Sequence, residues 1–423
     1  MLYSSPLHGL LLYNTRTRAL LSLPEDMRES IKSLSQMSDF SLENVPEEMR
    51  NPFLGAKAIV PQGEDDNFYI QKKYLKYKEN FNTHAVGFVI VPTLECNFAC
   101  PYCYEKGRRY GTMNEDTVKQ LLKFVGGFDN VNRVDIGWHG GEPLMAKETI
   151  FKILDGFNKL GIKLNSHSIV TNGYLLDRET CEKFKEYGLS FVQITIDGMS
   201  QTHDKTRIKK DGSSTFEKII SNVETLFEVD PSCQVLIRMN VHKGNSSEFA
   251  PLYKYLSKKW AGRKYVLSLQ YVEDLNGCNV QCMKHKERIQ FMRNLFLEEG
   301  IEANDFFPTF QLGGCSADHA NTYIIGPDGG LYKCWVEVGK EEKKIGSIFE
   351  PNLSLPKLSE YVVGSDMFND SKCEKCKFFP ICDGGCELAR LKYKQEGIPY
   401  DVCPYSDDSF SLILDSLYEK NIQ

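Results

Sequence analysis

Six alternations of an apolar run with an amphipathic segment, between residue 86 and about residue 300, constrain the fold of this 423-residue chain most strongly. Parallel strands need long crossover connections, so the pattern predicts βαβ units and a parallel sheet. Six units favour an α/β fold with a partial, TIM-like (β/α)6 barrel over a closed barrel of eight. The predicted strands are 87–93, 132–138, 165–171, 191–197, 233–241 and 264–271, and the predicted helices lie near 114–127, 146–160, 177–187, 215–228, 246–259 and 285–299.

The segments on either side of this pattern have a different character, and the length allows two or three domains. Residues 1–85 contain no cysteine and predict a small α+β module with a hairpin, a helix opening at Pro24, a second helix and a late apolar strand at 56–60. Residues 306–423 are rich in cysteine and turn residues, which indicates a loop-rich domain held together by metal. The predicted domains are therefore 1–85, 86–305 and 306–423, the last ending in a helix over about 407–420.

Composition narrows the classes of function. The chain has no run of about 18 apolar residues and no basic region followed by an apolar stretch at its start, so we expect a cytoplasmic protein without a membrane span. A net charge of −6 argues against a nucleic-acid partner. Fourteen cysteines without an export signal favour metal or cluster ligation over disulfides, because cytosolic thiols stay reduced.

Three cysteines, Cys96, Cys100 and Cys103, follow the first predicted barrel strand, at the sheet edge where such folds bind their ligands. An iron-sulfur cube takes one cysteine per iron, so three cysteines leave one iron open to a small molecule. A structural zinc ion needs a fourth ligand close by, and the next candidate is the distant His139. We therefore predict a [4Fe-4S] cluster with an open iron.

This triad, together with the run Trp138-His139-Gly140-Gly141-Glu142-Pro143 after the second strand, resembles the radical SAM superfamily. The resemblance implies that the open iron chelates S-adenosylmethionine (SAM) and that an electron from the cluster cleaves SAM to a 5′-deoxyadenosyl radical. It also implies an electron donor such as flavodoxin or ferredoxin. Glu142 is expected to receive the amino group of SAM. The run from His203 to Arg207 also resembles the family, with a role that can be structural. The SAM contacts that the resemblance implies are Gly140, Gly141, Glu142, Thr195, Asn240 and Tyr102.

Seven cysteines beyond residue 310 form a second pattern, which resembles the SPASM domains of peptide-modifying enzymes with auxiliary [4Fe-4S] clusters. The resemblance implies two such clusters. Seven ligands do not fill two cubes, so the inner cluster has an open iron or is closed by Cys278 or Cys282. The alternative is a zinc ribbon formed by four of the seven, from Cys373 to Cys386. The implied ligands are Cys373, Cys376, Cys382 and Cys403 for the outer cluster and Cys315, Cys334 and Cys386 for the inner one.

One residue that differs from the pattern of a similar family predicts the class of substrate. Anaerobic sulfatase-maturing enzymes resemble this chain, but they carry an Asp directly after the second SPASM cysteine as the proposed proton acceptor, and here that residue is Trp335. The departure favours enzymes that crosslink ribosomally synthesised precursor peptides through a thioether, carbon-carbon or ether bond. Residues 1–85 resemble modules that bind a leader peptide by strand addition, with a plain packing extension as the alternative. Formylglycine formation in a sulfatase, and an iron-sulfur electron-transfer or binding protein without radical chemistry, are the alternative functions.

Overall fold

The computed structural model describes residues 1–37, 40–108, 111–128, 131–273, 282–303, 306–350, 352–397 and 402–422. The chain forms two compact units, which we call the barrel unit and the terminal unit. Their bounds cut across the predicted domain boundaries at residues 85 and 305, so the three-domain division stays a prediction. The barrel unit contains Asn80–Met283 and Cys315–Gly364, and the terminal unit contains Met1–Glu79, Lys284–Gly314 and Ser365–Gln423.

The N-terminal segment forms a three-stranded antiparallel sheet followed by helices. The predicted hairpin is confirmed as the second and third strands. The prediction did not include the first strand, Leu2–Ser5, or the helix Glu64–Asn80. The predicted strand at 56–60 is wrong: the chain turns there, because the Ala58 N–H donates back to the Phe53 carbonyl (2.8 Å) and Lys57 adopts a left-handed φ of 51°. The elements are β1 Leu2–Ser5, β2 Gly9–Tyr13, β3 Leu20–Leu23, α1 Arg28–Gln36, α2 Glu47–Gly55 and α3 Glu64–Asn80.

The barrel unit contains the predicted alternation of strands and helices. Its six parallel strands are neighbours in sequence order, so the α/β fold with a central parallel sheet is confirmed. The elements are β4 Ala85–Ile90, α4 Glu115–Gly126, β5 Arg133–Trp138, α5 Lys147–Lys159, β6 Leu164–Thr171, α6 Arg178–Glu186, β7 Phe191–Thr195, α7 Ser200–Thr206, α8 Phe216–Val229, β8 Gln234–Val241, α9 Phe249–Lys259 and β9 Tyr265–Tyr271.

Strand β8 shows how this sheet positions a site. Its residues alternate between buried and half-buried. Ile237 and Met239 are fully buried and contribute to the core, whereas Arg238 and Asn240, at the intervening positions, line a cavity. Because side chains alternate across a strand, one face of the sheet packs against the rest of the protein while the other is free to carry polar groups.

The C-terminal segment contributes to both units. In the barrel unit, a strand pairs in parallel with β4 and continues into two antiparallel strands, with a turn at Gly329 whose φ is 79°. The terminal unit has a buried cluster that contains Tyr13, Phe306, Phe378 and Phe410. Phe410 belongs to the final helix, which lies where it was predicted. The remaining elements are α10 His285–Glu299, β10 Thr322–Ile325, β11 Gly330–Tyr332, β12 Gly346–Ser347, α11 Leu355–Ser359, α12 Ser371–Glu374, α13 Glu387–Glu396 and α14 Asp407–Ile422.

Within these described ranges, no helix has both the length and the apolar character needed to cross a lipid bilayer.

Candidate active site

The three cysteines of the triad line one cavity of about 490 Å³ in the barrel unit. All six parallel strands contribute residues to it at or near their carboxyl ends, from Val89 of β4 to Tyr271 of β9. Burial raises the pKa of the Cys96 thiol to about 12 and also raises the pKa values of Cys100 and Cys103. Metal ions must therefore displace these protons to hold the thiolate form.

The loop that carries the three cysteines is held in place by backbone hydrogen bonds to the segment after α7. The Ala99 N–H donates to the Ile208 carbonyl (2.7 Å), and the Lys210 N–H donates to the Asn97 carbonyl (3.0 Å). Phe98 forms an antiparallel bridge with Lys209 and is itself buried. The run from His203 to Arg207, whose role the sequence left open, therefore leads directly into the support of the cysteine loop.

Gly140 and Gly141 bring the second strand end against the same loop. A Cβ atom on Gly140 would lie 2.2 Å from the Thr93 carbonyl oxygen, and one on Gly141 would lie 2.4 Å from that of Glu95. Gly140 also has a φ of 137°, which favours glycine. Both glycines also line the cavity. Because they have no side chain, their backbone can pack against the cysteine loop and line the cavity at the same time.

The carboxylate of Glu142 is fully buried beneath these glycines. One oxygen accepts from the Leu144 N–H (3.0 Å) and the Thr171 hydroxyl (2.7 Å), and the other accepts from the Asn172 N–H (2.6 Å). Burial raises the pKa of Glu142. Glu142 itself is not among the residues that line the cavity, so the predicted contact with an amino group stays a prediction.

Tyr102 and Asn240 meet in a polar network at the end of β8. The Tyr102 hydroxyl donates to the buried carboxylate of Asp197 and accepts from the side chains of Asn240 (3.2 Å) and Arg207 (3.4 Å). Asp197 also accepts from the Asn240 N–H (2.9 Å). Thr195 lies at the end of β7 and lines the same cavity. The structure thus brings these predicted SAM contacts to one cavity.

Arg207 is a site residue to which the sequence assigned no role. Burial opposes its charge, but the neighbouring Cys100, Tyr102 and Asp197 raise the pKa of Arg207 well above its usual range. Its Nε is buried and has no hydrogen-bond partner among the described residues. A cation with a spare donor beside Cys100 suits an anionic ligand or cluster.

Another part of the cavity carries His139 and Trp335, whose rings stack with centroids 5.8 Å apart and planes 20° apart. The Gly140 N–H donates to His139 Nδ1 (2.7 Å), which places the proton of the neutral ring on Nε2. Desolvation, assisted by Arg238, lowers the pKa of His139 to about 4. The ring is therefore neutral at pH 7.

Two carboxyl groups, Glu105 and Glu273, also line the cavity. Burial raises the pKa of Glu105 to about 7 against the opposing charge of Arg108. Neither was singled out from the sequence, because an isolated glutamate in a loop carries no spacing pattern. They are the acidic side chains available inside this cavity.

The C-terminal cysteines divide between the units. Cys315 and Cys334 belong to the barrel unit, and the other five belong to the terminal unit. No three His, Cys, Asp or Glu side chains in the described ranges surround a single metal ion, whereas the thiolates of a cube bind separate irons and stand farther apart. Cys282 is half-buried, and Cys278 lies outside the described residues. Which cysteines share a cluster stays a prediction.

The family model of the radical SAM superfamily matches residues 90–256. The chain carries a radical SAM domain. A [4Fe-4S] cluster and SAM are the characteristic cofactors of such a domain, and the residues present fit them. Three thiols line one cavity, two glycines leave backbone bare beside them, and Arg207 offers an unpartnered donor.

Relatives of this radical SAM chain include two kinds of maturing enzyme. A cysteine-type anaerobic sulfatase-maturating enzyme from Clostridium novyi is 24% identical over 377 residues, which cover 80% of this chain and 96% of that protein. A serine-type anaerobic sulfatase-maturating enzyme from Klebsiella aerogenes is 23% identical over 322 residues, covering 69% and 76%. The chain is accordingly an enzyme that contains a radical SAM domain.

Solved structures with a similar fold include native anSMEcpe with bound AdoMet, at 22% identity and a TM-score of 0.62, covering 79% of this chain and 98% of that one. Streptococcus suis SuiB bound to S-adenosylmethionine is 16% identical with a TM-score of 0.55, covering 92% of this chain and 94% of that one. At these identities the likeness shows the fold.

Proposed function

We propose that this radical SAM enzyme is a peptide maturase that forms a crosslink within a ribosomally synthesised precursor peptide. The observation that carries the proposal is Trp335, stacked on His139 inside the cavity. Resemblance to sulfatase-maturing enzymes leads us to expect an Asp after the second SPASM cysteine. An indole cannot accept a proton as a carboxylate does, but an aromatic wall suits an apolar or aromatic peptide side chain.

When bound, SAM and its cluster supply a 5′-deoxyadenosyl radical, which removes one hydrogen atom from the peptide. The protein's own residues hold the reactants and limit access of water. Tyr102 and Asn240 form the rigid polar wall near the end of β8, and Arg207 places positive charge beside Cys100. His139 and Trp335 form the aromatic wall.

Closing a crosslink removes two hydrogens from the peptide. SAM and its cluster would supply the radical that takes one of them as a hydrogen atom. The other would leave as a proton, and an auxiliary cluster would supply the acceptor for the remaining electron. We assign the proton to Glu105, because it is a buried carboxyl group among the residues that line the cavity.

Recognition of the peptide is assigned to the N-terminal module. Its sheet ends in β1 on one side and β3 on the other, each paired only with β2 among the described residues, so a leader peptide can add as a further strand. A cavity of about 530 Å³ in the terminal unit is lined by apolar and aromatic side chains and by charged side chains of both signs, among them Ile31, Phe68, Arg16 and Asp65. The SuiB structure with precursor peptide SuiA shares the fold at a TM-score of 0.53.

Formylglycine formation in a sulfatase is the second candidate, favoured by the relative from Clostridium novyi, 96% of whose length is matched. The two candidates differ in what they do to a peptide. A crosslink removes two hydrogen atoms and joins two residues, whereas formylglycine formation converts one Cys or Ser side chain to an aldehyde.

The test uses the full-length, anaerobically reconstituted enzyme with SAM, a strong reductant, and either any short precursor peptide that is found encoded beside its gene or a synthetic sulfatase peptide. We expect 5′-deoxyadenosine, and a crosslink in the former peptide on tandem mass spectrometry. Cys96→Ala should abolish 5′-deoxyadenosine formation in folded protein. An aldehyde in the sulfatase peptide, with no change in the other, would decide for the second candidate.

A further inference from the structure

Helix α3 of the N-terminal module inserts a lysine among the cysteines of the C-terminal segment. Lys72 is only 1% exposed, and its ammonium donates to the carbonyl oxygens of Phe379 and Cys382 (2.8 Å for the latter). The same nitrogen lies 4.5 Å from the ring centroid of Phe379 and 5.5 Å from that of Phe310. All these residues belong to the terminal unit.

Lys72 forms no ion pair with a carboxylate in the described part of the chain, although it is buried. Carbonyl dipoles and aromatic faces stabilise an ammonium in part, but a buried charge without a counter-charge is costly. The contacts of the Lys72 nitrogen, two carbonyl oxygens and two aromatic faces, are those that an ammonium group makes, and they leave room for an anionic group to stabilise it further.

A second cation, Arg390, approaches the same cysteines. Its Nη2 donates to the Cys373 sulfur (3.3 Å), its Nη1 to Asp370 (2.8 Å) and its Nε to the Gly384 carbonyl (2.6 Å). The Gly384 N–H donates to the Cys382 sulfur (3.3 Å). Two of the outer-cluster cysteines thus accept N–H donors at sulfur, as cluster thiolates commonly do.

We propose that Lys72 is a positioning residue of the outer auxiliary cluster and, with Arg390, raises the reduction potential of that cluster. The proposal rests on the assignment of Cys373, Cys376, Cys382 and Cys403 to one cluster under the proposed function. Reduction adds one electron and neither forms nor breaks a bond, so the reduced cluster carries one more negative charge. A buried cation stabilises that form more than the oxidised one.

This role makes the N-terminal module part of the redox apparatus as well as the recognition module. Helix α3 carries the charge that would stabilise the outer cluster after it accepts the electron left by the peptide.

The experiment is an EPR-monitored redox titration of full-length, anaerobically reconstituted protein in a C96A/C100A/C103A background, which removes the signal of the SAM cluster. The variants are K72Q, which keeps a hydrogen-bond donor without the charge, and K72R, which keeps the charge. K78Q is the matched control, because Lys78 lies exposed on the same helix. We expect K72Q to lower the midpoint potential of one auxiliary cluster, with K72R and K78Q close to the parent.

The iron and sulfide contents of each protein distinguish a failure of the cluster assignment from a failure of the proposed role of Lys72. A parent protein without C-terminal cluster iron overturns the cluster assignment and this proposal with it. A fully loaded K72Q with the parental midpoint, or a K78Q shifted as much as K72Q, overturns the role of Lys72 alone. If K72Q fails to load, loading of K72R supports a requirement for charge, and failure of K72R as well shows that Lys72 is needed only for packing.

Discussion

At the scale of single residues, the site depends on positions where close neighbours restrict which amino acid can be present. Gly141 has an ordinary φ, so its requirement for glycine is purely steric and comes from the carbonyls of Leu94 and Glu95. Arg207 and Glu142 are tied to their neighbours by charge and by hydrogen bonds. Two substitutions test these dependencies separately.

Gly141→Ala is expected to disturb the cysteine loop. The new Cβ would lie 2.4 Å from the Glu95 carbonyl oxygen and 2.6 Å from that of Leu94, so backbone must move. We expect a loss of about 1–3 kcal/mol in the free energy of unfolding, as for other overpacked sites, and reduced iron loading. Urea unfolding and iron analysis measure both. Gly111→Ala is the control, since a Cβ there meets nothing within 4 Å, and equal effects in the two variants would contradict the prediction.

Arg207→Gln is expected to weaken SAM cleavage without unfolding the protein. A charged hydrogen bond contributes about 1.5–3 kcal/mol, so the rate of 5′-deoxyadenosine formation at limiting SAM should fall roughly 10- to 100-fold. Arg207→Lys should be intermediate, because it keeps the charge but loses the planar fork. The exposed Lys205→Gln is the control. A wild-type rate for Arg207→Gln would exclude a role for this cation.

At the scale of elements, α7 and α8 support the site from below the cysteine loop. Asp204 on α7 accepts hydrogen bonds from the Thr215 and Phe216 N–H groups (2.9 and 3.0 Å) at the start of α8. The chain between the two helices contains Ile208 and Lys210, which hold the triad loop. A change in the packing at the start of α8 is therefore expected to shift the loop that carries the three cysteines.

Asp204→Ala should destabilise the protein at neutral pH by about 1–2 kcal/mol, the range for a lost helix cap. Burial works to raise the pKa of Asp204, but hydrogen bonds from Ser214, Thr215 and Phe216 lower it overall. The stabilisation is thus present above the unfolded pKa of about 3.9 and lost as pH falls through the lower folded value. Urea unfolding at neutral and strongly acidic pH should show the difference from wild type shrinking in acid. The exposed Glu182→Gln should show no such pattern.

At the scale of the whole molecule, buried neutral histidines predict acid sensitivity. His167 accepts from the Trp138 indole at Nε2 (2.8 Å), and burial lowers the pKa of His167 to about 4 and that of His203 to about 3. Both folded values lie below the unfolded value of about 6.5. The stability that these residues contribute is therefore complete above about pH 6.5 and is lost as pH falls toward the folded values.

Each buried histidine should add about 1.4 kcal/mol per pH unit to the fall in the free energy of unfolding below pH 6.5. Urea titrations between pH 7 and pH 4 measure this slope. The double variant His167→Gln, His203→Gln should be less stable at pH 7 but flatter with pH, while the exposed His84→Gln should keep the wild-type slope. An unchanged slope in the double variant would contradict the assignment.

Hydrophobic periodicity and ligand spacing are local properties, so the six parallel strands, their helices, the cysteine triad and the glycine pair could be predicted from the sequence. It did not contain the turn at Lys57 or the strand β1, which depend on local hydrogen bonding and on pairing partners. It also assigned no role to Arg207, Glu105 or Lys72. The roles proposed for them are suggested by burial and by neighbours far away in the chain, such as Cys382 for Lys72. These surroundings are visible only in the tertiary structure, since the charge balance of a group depends on what packs around it.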